Sequence, residues 1–320
     1  MTLRVSIIIN NFNYDEYIAP CIESAITQTY RNKEVIVSDD GSTDNSRAII
    51  RSYGSSIITT FKPNGGQASA LNAGYKISSG DLVIFLDSDD ILSPSCVAEV
   101  VRHWRSDLTK LHFNLAVIDA SGDPIGCLHS KPPLPRGDLR EQLLTDGTVV
   151  SMGMSGNVFP RAFLNQVMPM PEVGWERGAD TYLFNLATLS GQVGAIDEPL
   201  GGYRVHGNNG SAKVKEGKVD KAALRKFLQR EILTDQSLTA YGQKIGVNSF
   251  FETAKFEFRR RLFNSCLLSP LGRCDQRESA SRIRIRRLPR LFKHPLRIRK
   301  GARVEIANPA KYIRIRDTLS

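Results

Sequence analysis

No stretch of this sequence approaches the roughly 18–20 uninterrupted apolar residues that span a bilayer. Its apolar runs, such as Val5–Ile9 and Leu82–Leu86, have the length of buried strands. One basic residue precedes the first run and no small-residue cleavage site follows it, so we expect no secretory signal. Cysteine is sparse: Cys21, Cys96, Cys127, Cys266 and Cys274 are odd in number and scattered. They form neither a disulfide framework nor a CxxC metal knuckle, which predicts a reduced, cytoplasmic protein. There is no internal repeat, no Walker pattern, and no G-x-G-x-x-G at the first strand–helix turn. Nucleotide recognition of those two kinds is excluded.

What is present is an ordinary globular composition, 41% hydrophobic and 24% charged, over 320 residues. That length suits one sizeable α/β domain with an appendage. The net charge of +10 is unevenly placed. From Arg277 onward fourteen lysines and arginines face three acids, which leaves the remainder of the chain near neutral.

Hydrophobic periodicity gives an alternating pattern. Residues 4–9 read as a strand buried on both faces, 34–38, 57–61 and 82–86 as further strands, and 17–29, 44–52 and 68–77 as helices. Pro20 then falls in the first helical turn, and Ser42 or Thr43 can cap the second helix. The alternation predicts a doubly wound, mostly parallel central sheet flanked by helices. Polar clusters at 10–14, 39–42 and 87–90 each end a strand, where such sheets bind ligands. Residues 93–210 are less regular, with a helix at Ala179–Leu189 and a strand near Gln192–Ile196. Residues 211–270 read as a helical extension, with Phe250, Phe251, Phe256, Phe258 and Phe263 as core candidates, and 271–320 as a basic tail with little apolar periodicity.

Asp87-Ser88-Asp89-Asp90 places three carboxylates within four residues, and packing alone does not explain that. A hard divalent cation prefers such oxygen ligands and shares its shell with phosphates. The competing reading is an acidic cluster favouring the dipole of the following helix. Asp39-Asp40-Gly41-Ser42 offers a carboxylate to a base N–H or ribose hydroxyl, beside its role as a turn and cap. In Asn64-Gly65-Gly66-Gln67 the glycines either let backbone amides meet a phosphate or simply make a turn.

Five segments in order, VSIIINNFNYDEYIAPCIESAITQTY, EVIVSDDGSTDNS, NGGQASALNAGY, GDLVIFLDSDD and EPLGGYRVHGNNGS, closely resemble family 2 glycosyltransferases of the GT-A fold. The likeness covers about residues 3–211, a domain of 1–210 with a nucleotide-sugar half at 1–92 and an acceptor half at 93–210. It implies an inverting, metal-dependent transferase that uses Mn²⁺ or Mg²⁺. The resemblance places Asn10, Phe12, Tyr14, Asp39, Asp40, Gln67, Asn72, Asp87, Ser88 and Arg204 on the donor. It also makes Asp87, Asp89 and His206 metal ligands, Asp180 the catalytic base, and Ser155, Gly156 and Asn157 the acceptor side. Relatives often carry arginine where Leu71 stands, which leaves Lys62 or Arg204 to meet the phosphates. Ala179 stands where relatives often have an acid before the base.

The implied donor is a nucleoside-diphosphate sugar, with uridine or thymidine favoured. The implied acceptor is a saccharide or lipid-linked hydroxyl, in cell-surface polysaccharide or glycoconjugate synthesis. The tail, with Arg282-Ile283-Arg284-Ile285-Arg286-Arg287-Leu288, suits an anionic membrane surface, which would make the protein peripheral at the inner face. It could equally be a solvated terminus, and we expect no specific nucleic acid. Two other readings stand beside the transferase: a sugar-1-phosphate nucleotidyltransferase, which usually opens with a Gly-rich loop absent here, and a catalytically silent sugar-nucleotide-binding module.

Overall fold

The computed structural model describes residues 2–146, 149–206, 221–247, 303–307 and 312–316. The first half alternates as its periodicity predicts: β1 (Val5–Asn11), α1 (Asp15–Ile26), β2 (Lys33–Asp39), α2 (Ser46–Ser52), β3 (Ile58–Phe61), α3 (Gln67–Lys76) and β4 (Leu82–Asp87). α1 buries Ile18, Cys21, Ile22 and Ala25, the i, i+3, i+4, i+7 stripe of an amphipathic helix. It starts earlier than expected, so Pro20 lies inside it and not in its first turn. Nor does Ser42 cap α2. Its Oγ accepts from the Asn13 amide at 2.9 Å and from Asn11 Nδ2 at 3.1 Å, while Asp44 Oδ1 accepts from the Ser46 amide.

The second half continues with β5 (Ile91–Leu92), α4 (Cys96–His103), β6 (Leu108–Ile118), β7 (Pro124–Leu128), β8 (Gly137–Asp138), α5 (Arg140–Asp146), β9 (Asn157–Pro160), α6 (Arg161–Val167), α7 (Ala179–Ser190) and β10 (Gln192–Arg204). Together these form a mixed ten-stranded sheet with the path β3-β2-β1-β4-β9-β6-β10-β5. β1, β2, β3 and β4 are parallel neighbours, and β9 runs antiparallel between β4 and β6. β10 pairs parallel with β6, through register shifts that lengthen it well beyond Ile196. Ile7, Ile8, Ile9, Ile36, Ile84 and Phe85 are fully buried along the central strands, each contributing about 1.5–3 kcal/mol of burial.

The register sets the polar strand ends side by side. Asn10 lies opposite Ser38 on β2 and Asp87 on β4, and Asn11 lies opposite Asp39. Three polar strand ends therefore stand level along one edge of the sheet.

Two compact units are distinguished. The first takes residues 1–207 together with 237–248. The second takes 208–236 and 249–320. α8 (Lys221–Lys244) contributes to both, and within the first unit its Leu238 and Tyr241 are buried. In the second unit the strands β11 (Arg303–Ala307) and β12 (Tyr312–Arg316) pair antiparallel, an element that the tail's weak periodicity did not announce. The five phenylalanines between 250 and 263, and most of the basic tail, lie outside the described residues. No described helix is long and apolar enough to cross a membrane. Cys21, Cys96 and Cys127 are free thiols.

Candidate active site

The strand ends of β1 and β2 are occupied chiefly in holding each other. Asp39, buried, accepts hydrogen bonds from Asn11 Nδ2 at 3.0 Å, the Ser42 amide at 3.1 Å and Arg47 Nε at 2.7 Å. These donors outweigh burial and hold its carboxyl below the usual range. Asp40 pairs with Lys62 and accepts from the amides of Gly65 and Gly66, the latter at 2.7 Å. Both carboxylates are thus engaged in shaping the loops at these strand ends. Asn13 has φ 57° and receives the Thr43 amide on Oδ1 at 2.8 Å, which fixes the turn that leaves Phe12 exposed at the mouth.

The three carboxylates of 87–90 differ in surroundings. Asp90 is buried, accepts from Ser155 Oγ at 2.6 Å and from the Arg204 amide at 2.9 Å, and is pushed well above the usual carboxylate range by burial and by Asp89. Asp87 takes Asn10 Nδ2 at 3.1 Å and Gln67 Nε2 at 3.3 Å on one oxygen. Burial and then Asp89 push it up to about 7. Asp89 Oδ2 lies 3.1 Å from Nε2 of His206, whose ring is flanked by Tyr14 and Tyr17. The Tyr14 hydroxyl is raised to about 12 by burial, then by Asp89 and Asp87. Ser88 is buried within the turn.

The donor set suits a hard cation: a largely buried carboxylate beside an imidazole, with two further carboxylates crowded against it. Asp89 and His206 meet, but among the described residues no three carboxylate, imidazole or thiolate groups converge on one point. A cation here would complete its shell from ligand phosphate and water.

Several expected residues are placed differently from the expectation. The Arg204 guanidinium is buried: Nε donates to the Asp89 carbonyl at 2.7 Å, Nη1 to the Ala120 carbonyl at 2.9 Å, and the group stacks on Tyr17. It braces the acidic turn from behind. Ser155, Gly156 and Asn157 are likewise buried, Ser155 accepting the Asp87 amide while it donates to Asp90. They underlie the cluster instead of facing an open acceptor side. Leu71 is fully buried in α3. Asn72 brackets Met170, donating to its carbonyl and accepting from its amide at 2.8 Å.

Gln67 is the connector. Its Nε2 donates to Asp87, and its Oε1 accepts from the amides of Gly178 at 3.0 Å and Ala179 at 3.1 Å. Those are free amides at the start of α7, the helix that presents Asp180 in its first turn. One side chain therefore ties the acidic turn to the frame of the candidate base. Sequence reading did not single out Lys110 on β6. It is fully buried, its ammonium bonds Ser151 Oγ and lies 4.7 Å from the centre of the Phe184 ring, one helical turn beyond Asp180.

The family model of glycosyl transferase family 2 matches residues 6–142. Over 213 residues the sequence is 32% identical to an uncharacterized glycosyltransferase of Nostoc sp., spanning 65% of this chain and 66% of that one. The chain belongs to glycosyl transferase family 2. Within that family it is also 41% identical over 108 residues to the chondroitin synthase of Pasteurella multocida, of which it spans only 11%. S. aureus TarS, solved as residues 1–349 with UDP-GlcNAc, aligns over 84% of this chain and 77% of that chain with a TM-score of 0.56 and 19% identity. That structural likeness shows the shared GT-A fold of this family 2 member.

Proposed function

We propose that the chain transfers a sugar, with inversion, from a nucleoside-diphosphate sugar (UDP or dTDP favoured) to the hydroxyl of a saccharide or lipid-linked acceptor in cell-surface polysaccharide or glycoconjugate synthesis. The observation that carries the reading is the Gln67 bridge, which fixes Asp87 and the amides leading into Asp180 in a single frame. Phe12 offers a face for the base, and the loops pinned by Asp39 and Asp40 wall the ribose.

The reaction is a single displacement at the anomeric carbon. The acceptor oxygen forms the new bond, its proton passes to the Asp180 carboxylate, and the bond to the diphosphate breaks with its electron pair leaving on oxygen. Asp180 acts as base, and no protein nucleophile attacks the sugar, so configuration inverts. Mn²⁺ or Mg²⁺ held by Asp89 and His206, with Asp87 alongside, would supply positive charge for the departing diphosphate. Arg204, Ser155 and Asp90 keep the acidic turn in shape while this occurs.

The test is a survey of UDP-, dTDP- and GDP-sugars with Mn²⁺ or Mg²⁺, scored by donor hydrolysis and by transfer. Turnover is expected to fall with EDTA, with Asp89→Ala and with Asp180→Asn. A folded Asp180→Asn variant with wild-type transfer would remove Asp180 from the role. Donor binding without turnover on any sugar would identify a silent binding module.

A further inference from the structure

Among the described residues, the cations whose contacts reach the acidic turn and the neighbouring strand ends are already committed. Arg204 braces backbone carbonyls, Lys62 pairs with Asp40, and Arg47 pairs with Asp39. Arg177 is different: it is exposed and makes no hydrogen bond or ion pair with any described residue.

Its neighbours are held firmly. Glu176 accepts the Gln67 amide on its carbonyl at 2.9 Å, and Trp175, fully buried against Tyr182, accepts the Ala68 amide. On the other side the Gly178 amide is bound by Gln67, and Gly178 has the left-handed φ of 74° that turns the chain into α7. A Cβ on Gly66 would stand 2.5 Å from Glu176 Cα, so this loop and the Gly65-Gly66 turn are in direct backbone contact. The backbone of Arg177 is therefore fixed between the acidic turn and Asp180, with an unengaged guanidinium.

An exposed cation on a loop clamped to the Gly65-Gly66 turn and to Gln67, yet paired with no described residue, is placed for an incoming anion. We propose that Arg177 contacts the diphosphate of the donor, a guanidinium fork being suited to phosphate oxygens, and so helps hold the leaving group while Asp180 acts. The role rests on the donor reading and deepens it by naming a diphosphate contact from the base side of the cleft. Arg177 positions and neutralises; it transfers no proton.

The experiment is titration calorimetry of the full chain with Mn²⁺ and UDP, dTDP or GDP, each against its parent nucleoside. For whichever diphosphate binds the wild type, Arg177→Ala is expected to weaken it tenfold or more while leaving nucleoside affinity unchanged. Arg177→Lys should recover part of the loss. The thermal unfolding midpoint of both variants should match wild type, since the side chain carries no structural bond. Wild-type affinity for the diphosphate in Arg177→Ala overturns the Arg177 contact and leaves the donor reading standing. An equal loss for nucleoside and diphosphate also overturns it. Failure of the wild type to bind any of the three diphosphates overturns the donor reading itself, and the Arg177 contact with it.

Discussion

Replacing Lys110 with methionine removes a charge that the fold keeps out of water. Burial, partly offset by the Asp180 carboxylate, lowers the Lys110 ammonium from 10.5 to about 7. At about 1.4 kcal/mol for each pH unit, the charged form costs the folded state about 5 kcal/mol relative to the unfolded chain. The sign follows from linkage. Below about pH 7 both states hold the proton and the full cost is present. Between about 7 and 10.5 the unfolded chain keeps its proton while the folded protein gives it up, so wild-type stability rises by about 1.4 kcal/mol per pH unit. Methionine has nothing to titrate and fills similar volume, but it forfeits the Ser151 hydrogen bond, worth about 1–2 kcal/mol, and, where Lys110 is charged, the Phe184 ring contact as well. The variant should therefore be more stable than wild type at pH 6 by about 3 kcal/mol, an advantage that shrinks by about 3 kcal/mol between pH 7 and 9. Urea unfolding of both proteins across that range measures it. A difference that stays constant with pH would refute the reasoning, because it would mean that Lys110 keeps its proton in the folded state.

Two further substitutions probe the frame. Gly66 has φ 87° and ψ 178°, a conformation close to glycine-only, and a Cβ there meets the Glu176 backbone. Gly66→Ala should lower stability by at least about 2 kcal/mol and weaken donor binding as the 175–178 loop is displaced, and an unchanged unfolding midpoint would count against the contact. Gln67→Ala removes the partner of two α7 amides and of Asp87. We expect about 1 kcal/mol of lost stability and a kcat reduced by up to about 100-fold, and wild-type kinetics would show that the bridge has no part in positioning Asp180.

The nucleotide-side half was legible because strand and cluster coincide there. Val5–Ile9, Glu34–Ser38 and Leu82–Leu86 each read as strands, each ends on polar residues, and parallel pairing puts those ends side by side. β6 was not legible. Its sequence LTKLHFNLAVI sets Lys110, His112 and Asn114 on one face, which reads as a water-facing side. In the fold that face meets Ser130, Pro135 and Ser151: Asn114 donates to the Ser130 carbonyl at 2.8 Å, His112 Nε2 meets the Pro135 carbonyl at 2.8 Å, and Lys110 bonds Ser151. Polar residues there sew a loop to the sheet, and no periodicity count distinguishes that from solvation. Arg204 and Ser155 were singled out, but their bracing contacts escaped for a related reason. Their partners lie 65 to 115 residues away along the chain, several of them backbone groups that sequence does not mark.

The acidic turn shows why a motif alone does not assign roles. Its carboxylates are adjacent in sequence and would repel one another equally in water. The fold separates them by what each is given. Asp90 receives a hydroxyl and a backbone amide in a closed site, which makes it a structural acceptor. Asp87 receives two side-chain amides, and through Gln67 it is linked to α7. Asp89, its side chain 15% exposed, is left facing only His206 among the charged groups that pair with it. Of the three, Asp89 alone has an imidazole as its partner, and Asp87 keeps one oxygen without a donor beside it, so a cation brought with a diphosphate would have its anchor at Asp89. Exchanging Asp90 for asparagine should then disturb folding before chemistry, and exchanging Asp89 should do the reverse.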